Sequence, residues 1–190
     1  MLEKLAAAAI TGGARLLTGV RARWIGCEPS GGQRIYFVNH TSHLDFVLLW
    51  SALPSRLRAK TRPVAAEDYW SVNALRRYLT RRVFRSVLVE RTWSDRLVSP
   101  IAPMLEALDR GESLVLFPEG TRGTGTELLP FKAGIFHVAR ERPGVELVPV
   151  WMDRSHRSIT FGTPAHIEPN EEKTAFLERL RDELLGLTAR

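Results

Sequence analysis

The stretch Tyr36-Phe37-Val38-Asn39-His40-Thr41-Ser42-His43-Leu44-Asp45-Phe46 decides the fold. The apolar run Ile35 to Val38 predicts a short buried strand, and a second run, Phe46 to Leu53, predicts a helix. The polar residues between them fill a strand-to-helix junction, where α/β proteins place their sites. His40 and Asp45 are five residues apart. On a helix that spacing leaves the side chains about 140° apart, and on a strand it puts them on opposite faces. Only a turn lets them touch, with His40 at the strand end and Asp45 in the first helical turn. A carboxylate so placed holds one imidazole nitrogen and leaves the other as a general base. Two other readings stand beside this one. Asn39, Thr41, Ser42 and Asp45 could simply cap the helix. His40, His43 and Asp45 could ligate a metal, but no distant Cys or His cluster supports that, and no metal is expected.

Working outward, 190 residues suit one domain with a sizeable core. Cys27 is the only cysteine, which rules out an intrachain disulfide and makes a reducing compartment the default. The formal charge of +6 favours an anionic partner. Most of that charge falls between residues 54 and 91, where Lys60 and nine arginines face only Glu67, Asp68 and Glu90. The segment reads as an electrostatic docking surface for an anionic membrane or a phosphorylated ligand. No nucleic-acid motif accompanies it, and nucleic acid is not expected as a partner.

Residues 1–24 predict an amphipathic helix ahead of a domain spanning 25–190. Leu2, Leu5, Ala6, Ala9, Gly13, Leu16, Leu17, Val20 and Trp24 share one side, and Lys4, Thr11, Arg15 and Thr18 the other. The uncharged run from Leu5 to Ala14 is well short of the ~20 residues of a membrane span. Two readings remain for the segment, a helix lying in the bilayer surface and a helix packed on its own domain. A cleaved signal peptide fits poorly.

Further along, a strand is expected at Val64 to Ala66, a helix capped by Ser71, a strand from Arg85 to Arg91 and a helix from Asp95 to Arg110. Ser113 to Phe117 is a second buried strand that runs into a polar turn, Pro118-Glu119-Gly120-Thr121-Arg122-Gly123. Glycines there allow close backbone approach, and Arg122 offers a fork that matches phosphate. A helix over Lys132 to Arg142 and a strand over Glu146 to Trp151 follow. Two short strands, Arg157 to Gly162 and Ala165 to Glu168, precede a final helix capped by Asn170. Alternating strands and helices predict a single-domain α/β sandwich around a mixed sheet, with both polar junctions at one edge.

The two junctions together resemble a known family. Asn39-His40-Thr41-Ser42-His43-Leu44-Asp45 resembles the His-x4-Asp block of the glycerolipid acyltransferases, the family of 1-acyl-glycerol-3-phosphate acyltransferase. Phe117-Pro118-Glu119-Gly120-Thr121-Arg122 is similar to its second signature block. Phe131-Lys132-Ala133-Gly134 and Val148-Pro149-Val150 resemble the segments that follow. The resemblance runs in consistent order over roughly residues 35 to 165. There are departures: Arg85 stands where the family has a glycine six residues before its arginine, here Arg91. Ala65-Ala66-Glu67-Asp68 lacks a lysine often found there, and Thr124-Gly125-Thr126 replaces a more basic continuation.

The resemblance implies transfer of a fatty acyl group from a thioester to the hydroxyl of a lysophospholipid. Acyl-CoA or acyl carrier protein is the donor substrate, and no cofactor is needed. His40 would be the base and Asp45 its orienter, with the nucleophile supplied by the substrate. Arg122, then Lys132 and Arg91, would hold the acceptor's phosphate. Glu119 would hold a hydroxyl or orient Arg122, and Gly120 and Thr121 would shape the loop. Lysophosphatidate is the first-choice acceptor, and the expected location is peripheral, on the cytoplasmic face of the membrane. Transfer to another lysolipid or a glycolipid, hydrolysis of a thioester or lipid, and a non-catalytic binding module are the competing classes.

Overall fold

Strand β2 (Arg34–Val38) is buried along its whole length and occupies the centre of the sheet. Its alternation sorts the core into two layers. Ile35 and Phe37 face one apolar cluster, and Tyr36 and Val38 face the other. The computed structural model describes residues 2–42, 44–67, 73–89, 99–123, 127–153, 155 and 157–188.

Among these, the elements before the second junction are α1 (Leu2–Thr18), β1 (Arg21–Trp24), β2, α2 (Asp45–Ala52), α3 (Ser55–Arg58), β3 (Thr61–Ala66), α4 (Ala74–Tyr78) and β4 (Val87–Val89). A π-helical turn, Leu79–Val83, joins α4 to β4. Then come α5 (Ala102–Asp109), β5 (Ser113–Leu116), α6 (Gly134–Glu141), β6 (Glu146–Asp153), β7 (Ser158–Phe161) and α7 (Lys173–Leu185). The described strands form one seven-stranded mixed sheet in the order β1-β7-β6-β2-β5-β3-β4. The five strands from β6 to β4 are parallel, and β7 runs antiparallel to β6. Helices α1 and α2 cover one face and α5, α6 and α7 the other. This is the expected α/β sandwich. Because β2 and β5 are parallel neighbours, with Phe37 opposite Leu116, both polar junctions leave the sheet side by side at its C-terminal edge.

Several expectations need correcting. The first helix stops at Thr18, not at residue 24. Gly19 takes φ +62° and its N–H bonds Arg15 O at 2.9 Å, a left-handed helix end. Residues 21–24 then become an edge strand beside β7. Of the two placements left open for this helix, its inner side takes the packed one. Ala6, Ala7 and Ile10 pack on the domain and Thr11 is buried, its hydroxyl donating to Ala7 O. Leu2, Leu5, Leu16 and Leu17 point outward at 74%, 59%, 86% and 84% exposure. Near the other end, Ala165 makes an isolated bridge to Leu147 instead of starting a strand. Asn170 sits at φ +59° ahead of α7, and Glu172 occupies the cap position. Ser71, residues 90–91 of the strand expected after Arg85, and residues 95–98 of the following helix lie outside the described residues.

The departure at Arg85 has a backbone cause. Arg85 adopts φ +52°, a conformation that glycine takes freely and that costs an L-residue roughly 1 kcal/mol. Its side chain is 60% exposed and reaches Glu112 at 3.5 Å, a weak surface pair. Arg85→Gly is therefore expected to be about 1 kcal/mol more stable than Arg85→Ala, the reverse of the usual order. Denaturant unfolding of the two variants, which both lack the ion pair, checks this.

Candidate active site

The first junction is built by two side chains that replace missing backbone bonds. Where β2 ends, Asn39 continues the ladder with its amide. Nδ2 donates to Met152 O at 3.2 Å, and Met152 N–H donates to Oδ1 at 2.8 Å. The chain then turns around the carboxylate of Asp45, the first residue of α2. Oδ2 accepts the N–H groups of Thr41 (2.7 Å) and Ser42 (2.6 Å) and lies 3.1 Å from His40 Nδ1. Asp45 is fully buried. A carboxylate only accepts, so this contact assigns the proton of the neutral ring to Nδ1 and leaves the Nε2 lone pair outward. Leu44 occupies the cap of α2 without any side-chain bond, so these polar residues do not serve as a helix cap.

The second junction grips the first through its backbone. Glu119 is 2% exposed. Its Oε1 accepts His40 N–H at 2.7 Å, and its Oε2 accepts Leu129 N–H at 2.9 Å. Gly123 N–H in turn donates to His40 O at 2.8 Å. Both backbone groups of His40 are thus held by the opposite loop, and the ring lies against Phe117 with centroids 4.2 Å apart. The Glu119 carboxylate thus gives one oxygen to each of two backbone amides.

Gly120 has φ +70°, and a Cβ there would meet Lys132 Cγ at 3.1 Å. The Lys132 stem therefore lies directly on the turn, anchored by its own N–H to Pro118 O at 2.7 Å. Thr121 and Arg122 are exposed beside it. A cavity of about 310 Å³ opens next to His40. Phe46, Val64, Phe84 and Phe117 supply apolar wall, and His40, Thr121 and Arg122 supply polar groups. An apolar pocket with a few convergent polar groups suits an amphiphile. Gly120 also lines it, but Lys132 does not.

Of the expected site residues, His40, Asp45, Glu119, Gly120, Thr121, Arg122 and Lys132 gather around the two loops. Arg91 and His43 lie outside the described residues. Among the described residues, no three His, Cys, Asp or Glu side chains come together as a metal site. Sequence reasoning missed Phe46, Val64 and Phe84 as cavity walls. They read as ordinary core positions. Phe46 follows Asp45 in α2, and the packing of β3 and β4 beside β5 brings Val64 and Phe84 to His40.

A family model described as Acyltransferase matches residues 23–153. A lyso-ornithine lipid O-acyltransferase of Brucella abortus is 34% identical over 137 residues, 70% of this chain and 48% of that protein. A 1-acyl-sn-glycerol-3-phosphate acyltransferase of Helicobacter pylori is 34% identical over 126 residues, 66% of this chain and 50% of that protein. The chain thus spans about half the length of the curated relatives it matches. The crystal structure of the 1-acyl-sn-glycerophosphate acyltransferase PlsC from Thermotoga maritima superposes with a TM-score of 0.66 at 19% identity, covering 99% of this chain and 82% of that one. That likeness establishes a shared fold. The family match takes in both polar junctions and well over half of the sequence, and on that ground the chain belongs to the acyltransferase family.

Proposed function

We propose that this chain transfers a fatty acyl group from a thioester to the hydroxyl of a lysophospholipid, with 1-acyl-glycerol-3-phosphate as acceptor and phosphatidate as product. One observation carries the reading: the His40–Asp45 pair opens into an apolar cavity that has Arg122 among its walls. Nε2 of His40 takes the proton of the acceptor hydroxyl as that oxygen attacks the thioester carbonyl. Asp45 keeps the ring in the required tautomer and stabilises the imidazolium. Collapse of the tetrahedral oxyanion breaks the C–S bond, the imidazolium proton passes to the departing sulfur, and an ester and a free thiol remain. The donor is acyl-CoA or acyl carrier protein.

Arg122 binds the acceptor's anionic head, with Lys132 and Arg91 as further cations. Among the described residues no carboxylate pairs with Arg122. Its fork matches a carboxylate as well as a phosphate, so an acceptor like that of the lyso-ornithine relative is the second reading. Gly120 and Thr121 shape the loop, and Glu119 positions His40 by holding its N–H. The enzyme works as a peripheral protein on the cytoplasmic face of a membrane. Support for this comes from α1, where Leu2, Leu5 and Leu16 fall within about 60° of one another on the outer side. No described helix is long and apolar enough to cross a bilayer.

Thiol release from a long-chain acyl-CoA on anionic vesicles, with and without lysophosphatidate, tests the reading. Acceptor-dependent release is expected, with phosphatidate formed. His40→Ala should lower it by roughly 10²–10⁴-fold, the usual yield of a positioned base. Release that needs no acceptor would make the chain a thioesterase. In the same assay Arg122→Ala should raise the KM for acceptor about 10–100-fold, the worth of one or two charge-assisted bonds, and leave the donor KM unchanged. Glu119→Gln turns an amide donor toward a backbone N–H. It should depress kcat with little change in acceptor KM, whereas a residue that binds acceptor would move KM.

A further inference from the structure

The C-terminal end of α2 gathers two arginines from different elements. Arg15, in the last turn of α1, donates from Nε to Ser51 O at 2.8 Å. Arg58, in α3, donates from a terminal nitrogen to Leu53 O at 3.3 Å, and its guanidinium lies 5.2 Å from the centre of the Trp50 ring. The last carbonyls of a helix carry partial negative charge, which draws both cations to one place. Among the described residues neither has a carboxylate partner. Several other arginines of the chain do have one. Arg34 meets Glu146, Arg62 meets Glu112, Arg142 meets Asp109, and Arg179 meets Glu171. Partial burial, and then the like charge of Arg15, weaken Arg58's hold on its proton. A pair of cations that the fold brings together without a counter-charge recruits an anion from its surroundings.

The surroundings are apolar. Leu16 and Leu17, next to Arg15 in sequence, are 86% and 84% exposed. On the helix Arg15 falls between the packed side and the outer leucine side. Leucines that enter a lipid layer would set this arginine at headgroup depth. We infer that Arg15 and Arg58 together bind the phosphate of an anionic phospholipid headgroup. The site is separate from the acceptor site: α2 has eight residues and a rise of about 1.5 Å each, so Asp45 and Ala52 are roughly 10 Å apart along its axis. The inference rests on the reading of α1 as a bilayer-facing helix and does not depend on the acyl-transfer chemistry.

The test is flotation of the full chain, without acyl donor, on phosphatidylcholine vesicles and on vesicles containing one-third phosphatidylglycerol. Arg15→Gln with Arg58→Gln should weaken binding to the anionic vesicles roughly 20-fold and leave neutral-vesicle binding unchanged. Arg140→Gln with Lys173→Gln, an equal charge change on the other helical layer, should weaken it less than about threefold. Short-chain phosphatidylglycerol should raise the melting temperature of the wild type but not of the arginine double variant, and inorganic phosphate at the same concentration should raise neither. Equal losses in the two double variants, an equal loss on neutral vesicles, or protection by inorganic phosphate matching that by lipid would overturn the headgroup site alone. If Leu16→Ser with Leu17→Ser leaves neutral-vesicle binding intact, the bilayer reading of α1 falls and the site falls with it.

Discussion

A buried carboxylate that accepts two backbone N–H groups holds the two halves of the site together. Taking an ionised Glu119 out of water costs several kcal/mol. Bonds from His40 N–H and Leu129 N–H, each worth about 1.5–3 kcal/mol to a charged acceptor, offset that cost only while both loops stay in place. The bond from Gly123 N–H to His40 O closes the pair from the other side. His40 therefore has little freedom at its backbone. Its ring direction is then set by Phe117 and Asp45. The parallel neighbours β2 and β5 make these contacts possible by delivering the two loops to the same edge.

Helix α2 connects chemistry to surroundings. Its first residue, Asp45, folds the His40 turn around one carboxylate oxygen. Its last carbonyls receive Arg15 and Arg58. Between them Phe46, Leu49 and Trp50 are buried in the layer that also receives Ala6, Ala7 and Ile10 of α1. The N-terminal helix thus does two things that looked like alternatives. One side packs on the domain, and the opposite side presents leucines to the outside.

Much of this was legible in the sequence, for identifiable reasons. A run such as Ile35 to Val38 has few alternatives to a central strand, and an abrupt change to polar residues after it marks a junction. The five-residue step from His40 to Asp45 excludes both regular elements and so requires the turn that the structure contains. The order of strands and helices was enough for an α/β sandwich. Local sequence also set the end of α1 at Gly19, although the apolar periodicity running on to Trp24 concealed it.

What periodicity could not supply was the partner of each surface. Leu2 and Leu16 suited a bilayer surface and a domain interface equally on periodicity, and the fold leaves them outside because the side of α1 with Ala6 and Ala7 packs on the layer of α2. Glu119 read as a ligand-facing acid. Its inward turn depends on two N–H groups, one of them on the far side of the sheet edge in sequence terms. Phe84 and Val64 became cavity wall only when β3 and β4 paired beside β5. By itself the sequence determined most of the elements, the two polar junctions and the turn that lets His40 meet Asp45, because those follow from the order and spacing of residues along one chain. The tertiary structure alone decided which loop clamps which, where the cavity opens and which leucines remain outside, because those depend on contacts between segments far apart along the chain.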